Sequence, residues 1–200
     1  MATELPELIV EDANAWRSWL GRHHADSGGV WLVLAKKGTA VPTRLTYDEA
    51  LEEALSHGWI DGQLGRRDEM TYRQRFTPRG ARSRWSKRNV AIAERLIREG
   101  RMHSAGLAAA EQARGDGRWG SAYAGSQEIE VPADLAVALR ANHAAQAMFG
   151  CLSSRNRYAV LYRIGSAQRP ETRARRVAQF VDMLGRGETI YPQGPPEKAT

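Results

Sequence analysis

Cysteine occurs once in the 200 residues, at Cys151, which excludes intramolecular disulfides and any multi-thiolate zinc or iron–sulfur centre. Long apolar runs are missing as well, since none nears the ~18 residues of a membrane span. The N-terminus, MATELPELIVEDANAW, carries early acids and no basic region ahead of an apolar stretch, so no secretory signal is expected. These absences point to a soluble, cytoplasmic protein. A P-loop lysine, an HExxH helix, an EF-hand loop and a GxSxG elbow are also lacking, so no metal and no cofactor are indicated. Catalysis stays open, because cofactor-free enzymes need none of these, and nothing in the sequence speaks to oligomeric state.

What is present is ordinary for a folded chain: 42% apolar and 26% charged residues, enough for one large domain or two small ones. The net charge of +6 hides an uneven distribution. Residues 66 to 88 hold nine Arg or Lys against two acids, and residues 153 to 186 hold eight against two, so the remainder is acidic. Sixteen of these seventeen cations are arginine, whose planar fork grips carboxylate or phosphate with paired hydrogen bonds and stacks on aromatic rings. An anionic partner fits this pattern, and so does a solvated basic face paired with the protein's own acids.

Periodicity predicts a helix over 11–24, a buried strand in VWLVLAKKG, and a helix opened by the capping box Thr46…Glu49 and closed at Gly58. Two short strands follow, Trp59–Leu64 and Met70–Thr77, the second with Met70, Tyr72, Gln74 and Phe76 on one face and Thr71, Arg73, Arg75 and Thr77 on the other. Ser86 caps a helix over 87–99, with Trp85 placed to pack on Val90, and a helix over 103–114 comes next. Further helices are expected from Pro132 to Arg140 and over 142–151, 154–167 and 170–185. The last carries an apolar stripe of Val177, Phe180, Val181 and Leu184. The predicted fold is α+β. A small N-terminal sheet with flanking helices occupies 1–114, a Gly-rich connector 115–131, an all-helical part 132–187 and a loose tail 188–200.

GDGRWG has the glycine spacing of a dinucleotide fingerprint, but it follows a helix where that motif needs a strand, so it reads as a helix-ending loop. His23, His24 and His57 sit at helix ends, where imidazoles satisfy carbonyls. Cys151, beside Phe149 and Leu152, reads as a small buried apolar residue.

The densest chemistry lies in 58–89. Trp59, Asp61, Arg75, Thr77, Arg79, Trp85, Ser86 and Asn89 are the candidate site: indole walls, hydroxyls, guanidinium groups and a helix N-terminus for an anion. The competing reading is an internal Asp61–arginine pair with both tryptophans in the core. The strings WLVLAKKGT, LTYDEALEEALSHGWIDGQ, RFTPR, SRWSKRN, ERLIREGRMHSAGLAA and LSSRNRYAVLYRIGSAQRPETRARRVAQFVDML resemble the bacterial YdeI/OmpD-associated family, described as bacteriocin-protection proteins. The resemblance spans about residues 10 to 190, with GWIDG, RFTPR and SxWSxxN in that order within 32 residues. It implies a cytoplasmic bacterial protein linked to tolerance of antimicrobial peptides or envelope stress, and it carries over no catalytic residue or cofactor.

Three functions follow as expectations. The eight residues bind an anionic or aromatic small molecule or peptide. Alternatively, Asp61 or His57 acts as general acid or base beside Arg75 or Arg79. In the third, the two basic segments bind nucleic acid, which the modest net charge disfavours.

Overall fold

The structure is a computed structural model that describes residues 4–125, 129–167 and 169–194. The chain divides into two compact units, residues 1–122 and 123–200.

In the first unit the elements run β1 (Glu7–Leu8), α1 (Ala13–His23), β2 (Val30–Ala35), α2 (Tyr47–Ser56), β3 (Trp59–Arg66), β4 (Thr71–Pro78), α3 (Lys87–Arg98) and α4 (Ser104–Gly115). The strands form one sheet in the order β1-β2-β4-β3, with β1 parallel to β2 and the other pairs antiparallel. β1 is two residues long, too short for any periodicity to show. The register sets Leu32 opposite Gln74 and Leu34 opposite Tyr72, so these side chains share one face. That face meets the helices. Trp16, Leu20, Leu51, Leu55, Trp59, Phe76 and Leu96 fill the core there, each contributing about 1.5–3 kcal/mol on full burial. The alternate positions, Trp31 and Val33 on β2 with Arg73 and Arg75 on β4, take the opposite face of the sheet.

The caps form as the sequence predicts. Thr46 and Glu49 satisfy each other's backbone amides at the start of α2. Gly58 follows its end at φ +75, a conformation that a side chain disfavours. The Ser86 hydroxyl accepts the Asn89 amide at 3.1 Å, and Val90 packs against the core that holds Trp85. GDGRWG ends α4: Asp116 is the cap, Gly117 has φ +80, and Trp119 returns to the core.

In the second unit α5 (Ala133–Arg140), α6 (His143–Gly150) and α7 (Ser154–Gly165) surround α8 (Pro170–Gly185). Leu135, Phe149, Val160, Leu161, Ile164, Val177, Phe180 and Leu184 make its core, with Val181 at the margin. Pro132 caps α5 from one position outside it. Two expectations are corrected. Cys151 is exposed at the end of α6, because the helix turns it away from the core that Phe149 enters. Residues 188–194 are not loose: the Asn156 side chain donates to the Tyr191 carbonyl and accepts its amide, both at 2.9 Å, and Ile190 packs on the core. Residues 195–200 of the expected tail and 126–128 of the connector lie outside the described residues.

Candidate functional site

The sheet separates the eight sequence-nominated residues instead of gathering them. Trp59 is 1% exposed, donates its indole N–H to the His24 carbonyl at 3.1 Å and packs edge-on to Trp16 and Trp19. Asp61 lies on the same face and accepts a 2.9 Å hydrogen bond from the Tyr47 hydroxyl. Burial, with the Asp61 charge beside it, raises the Tyr47 pKa. Arg75 and Thr77 lie on the other face, since the intervening Phe76 points into the core. No Asp61–Arg75 pair forms, for a strand that alternates cannot aim both at one place.

Arg79, Trp85, Ser86 and Asn89 gather at the start of α3. The Arg79 guanidinium carbon stands 3.6 Å from the Trp85 ring centroid, Trp85 meets Trp119 at 4.7 Å, and Arg114 covers the far ring. Trp85 is 2% exposed, so here too the indole builds core. The picture of both tryptophans walling one shared hollow is therefore replaced by two sets of ring contacts, Trp16–Trp19–Trp59 and Trp85–Trp119, packed into the one core of the first unit.

A polar hollow of about 250 Å³ does open in that unit, lined by Arg17, Glu53, Ser56, His57 and Arg101. The buried Glu53 carboxylate accepts two hydrogen bonds from Arg17, at 2.8 and 2.6 Å, and one from Arg101 at 3.3 Å. His57 donates its Nδ1 proton to the Glu53 carbonyl at 3.0 Å, as a last-turn histidine should. Burial holds its pKa below the ordinary value, and the neighbouring His103 and His24 push the same way. The three rings lie 4.7–5.6 Å apart. They do not form a metal site: among the described residues no three His, Cys, Asp or Glu side chains are arranged to hold an ion. His24 gives its Nδ1 to the Leu20 carbonyl at 2.9 Å, and His103 Nδ1 accepts the Ala105 amide at 3.3 Å, so each ring serves a helix end.

A hollow of mixed aromatic and cationic lining opens in the second unit. It measures about 440 Å³ and is lined by Ser154, Arg155, Tyr158, Ala159, Tyr162, Arg163 and Tyr191. Six of these seven come from one face of α7, at the spacing of successive helical turns. Tyr191 closes the other side, held there by the Asn156 clip. Arg155 stands 4.1 Å from the Tyr191 ring centroid, and Arg163 reaches the Tyr191 hydroxyl at 3.4 Å. Tyr162 stacks tilted on Tyr158 at 5.6 Å and edge-on to Tyr123 at 5.1 Å. The Arg163 hydrogen bond, then its charge, lowers the Tyr191 pKa, with Arg155 adding to the effect. Among the described residues neither arginine has a carboxylate within ion-pair distance, whereas Arg173 and Arg186 on α8 and just beyond it do. The walls are aromatic, the floor is Ala159 and the rim is cationic, with no counter-charge among the described residues.

Residues 8–109, half of the chain, match a family model described as a domain of unknown function (DUF8412), and residues 128–187 match one described as "Bacteriocin-protection, YdeI or OmpD-Associated". The chain belongs to the first family, and its second unit carries a YdeI/OmpD-associated domain. No curated protein and no solved structure matches the chain. The resemblance seen along the sequence thus divides: GWIDG, RFTPR and SxWSxxN fall within the first match, and LSSRNRYAVLYRIGSAQRPETRARRVAQFVDML falls within the second.

The tyrosine–arginine hollow lies on α7 of the YdeI/OmpD-associated domain, and sequence reasoning missed it. Its signal was there in part. Arg155, Tyr158, Tyr162 and Arg163 recur at helical spacing within the second basic segment, a pattern that a count of charges passes over.

Proposed function

We propose that the protein acts in the bacterial cytoplasm as a bacteriocin-protection protein of the binding type, and that its YdeI/OmpD-associated domain captures a small anion bearing a flat apolar ring. The observation that carries this reading is the α7 hollow itself. Tyr158, Tyr162 and Tyr191 offer ring faces, and Arg155 and Arg163 offer charge that no carboxylate among the described residues neutralises. Its volume of about 440 Å³ is within the ~300–1,000 Å³ range of small-molecule sites. A ring lodged among the tyrosines buries its faces, while its carboxylate meets a guanidinium fork in partly dehydrated surroundings, where a charge-assisted hydrogen bond is strongest.

The test pairs binding with protection. Isothermal titration of the full chain with benzoate and indole-3-carboxylate should show saturable binding that the double variant Arg155→Ala/Arg163→Ala loses by at least tenfold. A bacteriocin-sensitive strain expressing the parent should outlive one expressing that variant at equal protein level. No binding of either probe by the parent, or equal survival with the variant, refutes the proposal.

A further inference from the structure

The first unit carries a second site that is independent of this reading, on the sheet face turned away from its helices. Arg73 and Arg75 project from that face of β4, about 7 Å apart along the strand. Both lean over glycines of β3. A Cβ added to Gly62 would stand 3.2 Å from Arg75 Nε, and one added to Gly65 would stand 2.9 Å from Arg73 Nε. A side chain at Gly65 would force Arg73 to shift and one at Gly62 would crowd Arg75 by a few tenths of an ångström, so the glycines form a flat bed on which both guanidinium stems rest.

The consequence for charge is unusual. Each Nε is fully buried and has no hydrogen-bond partner among the described residues. Among the described residues neither arginine forms an ion pair, and the one acid that the register places beside Trp31 on this face, Glu7, is already held by Arg67 at 3.0 Å. Arg73 also stands 4.8 Å from the Trp31 ring centroid, which steadies its stem without neutralising it. Two fixed cations therefore share one face with their terminal nitrogens uncommitted among the described residues. Burying an N–H without an acceptor is costly, and a bare structural role would have been better served by apolar side chains.

We propose that this face binds the phosphoryl group of a small phosphorylated molecule, held between Arg73 and Arg75. A phosphomonoester matches the pair in charge, being close to dianionic at neutral pH, and its three terminal oxygens can accept from two forks at once. A carboxylate brings one negative charge and two oxygens to the same two forks, so it neutralises and satisfies the pair less fully. The bed of glycines holds both stems in place before binding, so little side-chain freedom is lost when the anion arrives.

The experiment is a titration of the full chain with inorganic phosphate and with phenyl phosphate against acetate at matched ionic strength, followed by backbone amide shifts. Saturable shifts confined to Gly62, Gly65, Arg73 and Arg75 are expected with both phosphates, with acetate at least tenfold weaker. Arg75→Gln should weaken phosphate binding at least tenfold. Arg75→Lys, which keeps the charge and loses the fork, should weaken it severalfold and remains informative if the first variant fails to fold. Gly62→Ala should act in the same direction. Benzoate binding by the YdeI/OmpD-associated domain should survive all three variants, so failure here and failure of the α7 reading are told apart. Absence of saturable shifts, equal affinity for acetate, or undiminished phosphate binding by Arg75→Gln and Arg75→Lys overturns the assignment. So does a single-stranded oligonucleotide that binds through the same residues while the small phosphates do not.

Discussion

Gly106 and Gly21 should respond to the same substitution with opposite signs. α4 begins against the end of α2, where the His103 amide donates to the Ser56 carbonyl at 3.0 Å. A Cβ on Gly106 would fall 2.2 Å from that same oxygen. Ordinary carbon–oxygen contact begins near ~3.3 Å, so Gly106→Ala forces the two backbones apart by roughly 1 Å. That displacement carries the His103–Ser56 pair out of hydrogen-bond range. The lost buried bond costs about 1–3 kcal/mol and the overpacking about as much again, while alanine's better helix propensity returns about 1 kcal/mol. With about 2 kcal/mol for each of the two losses, a net loss of about 3 kcal/mol follows. In the exposed last turn of α1, by contrast, a Cβ on Gly21 meets nothing within 4 Å, so Gly21→Ala should stabilise by about 0.5–1 kcal/mol. All six tryptophans lie in the first unit, so indole fluorescence in a urea titration follows that unit by itself. At a slope of about 2 kcal/mol/M the midpoint should fall by ~1–2 M for Gly106→Ala and rise by up to ~0.5 M for Gly21→Ala, with slopes unchanged. A Gly106→Ala midpoint at or above the parent's, or two shifts of the same sign, refutes the packing argument.

Three further outcomes follow. His57 titrates below the ordinary imidazole value of 6.5 in the folded chain, chiefly because it is buried, so between that value and its own lower pKa the unfolded chain binds more protons. Stability of the first unit should therefore fall as pH drops through that window, and His57→Gln should flatten the urea midpoint against pH; an unchanged profile contradicts the assignment. In alkaline titration followed by tyrosinate absorbance, Tyr191 should ionise before Tyr47, since arginine charge lowers the first and burial raises the second. Tyr191→Phe should remove the earliest step and Arg163→Ala should delay it, and an earliest step indifferent to both would break the link between Arg163 and Tyr191. Cys151, exposed at the end of α6, should react stoichiometrically with a maleimide in the native protein, and protection until unfolding would restore the buried reading.

The elements were legible where local chemistry decides them. The Thr46…Glu49 box, Gly58 at the end of α2, the Ser86 cap and the alternation of β4 each need only a few neighbouring residues, and each formed. β1 was illegible because two residues are too few for any periodicity to show. The candidate site failed at a different level. Spacing correctly put Arg75 and Phe76 on opposite faces of β4, but which face Asp61 of β3 shares depends on a long-range register. That register aligns Asp61 with Phe76, and the irregularity between Asp61 and Leu64 shows how little local sequence constrains it.

The α7 hollow illustrates the same limit in reverse. Its helical half can be read from Arg155, Tyr158, Tyr162 and Arg163, but four side chains on a convex helix enclose nothing. Concavity arrives with Tyr191, and Tyr191 is fixed by Asn156, whose amide group serves both its backbone donor and its backbone acceptor. Asn156 is 1% exposed, faces away from the hollow's own lining and reads in the sequence as one more polar residue in a helical first turn. The residue that makes the hollow is therefore not one that touches a ligand. Asn156→Ala should loosen Tyr191 and weaken benzoate binding while leaving both arginines in place, whereas Asn156→Asp, which keeps the acceptor for the Tyr191 amide and loses the donor to its carbonyl, should fall between the two. Equal binding by parent and Asn156→Ala would mean that α7 alone suffices, and the enclosed geometry would cease to explain the affinity.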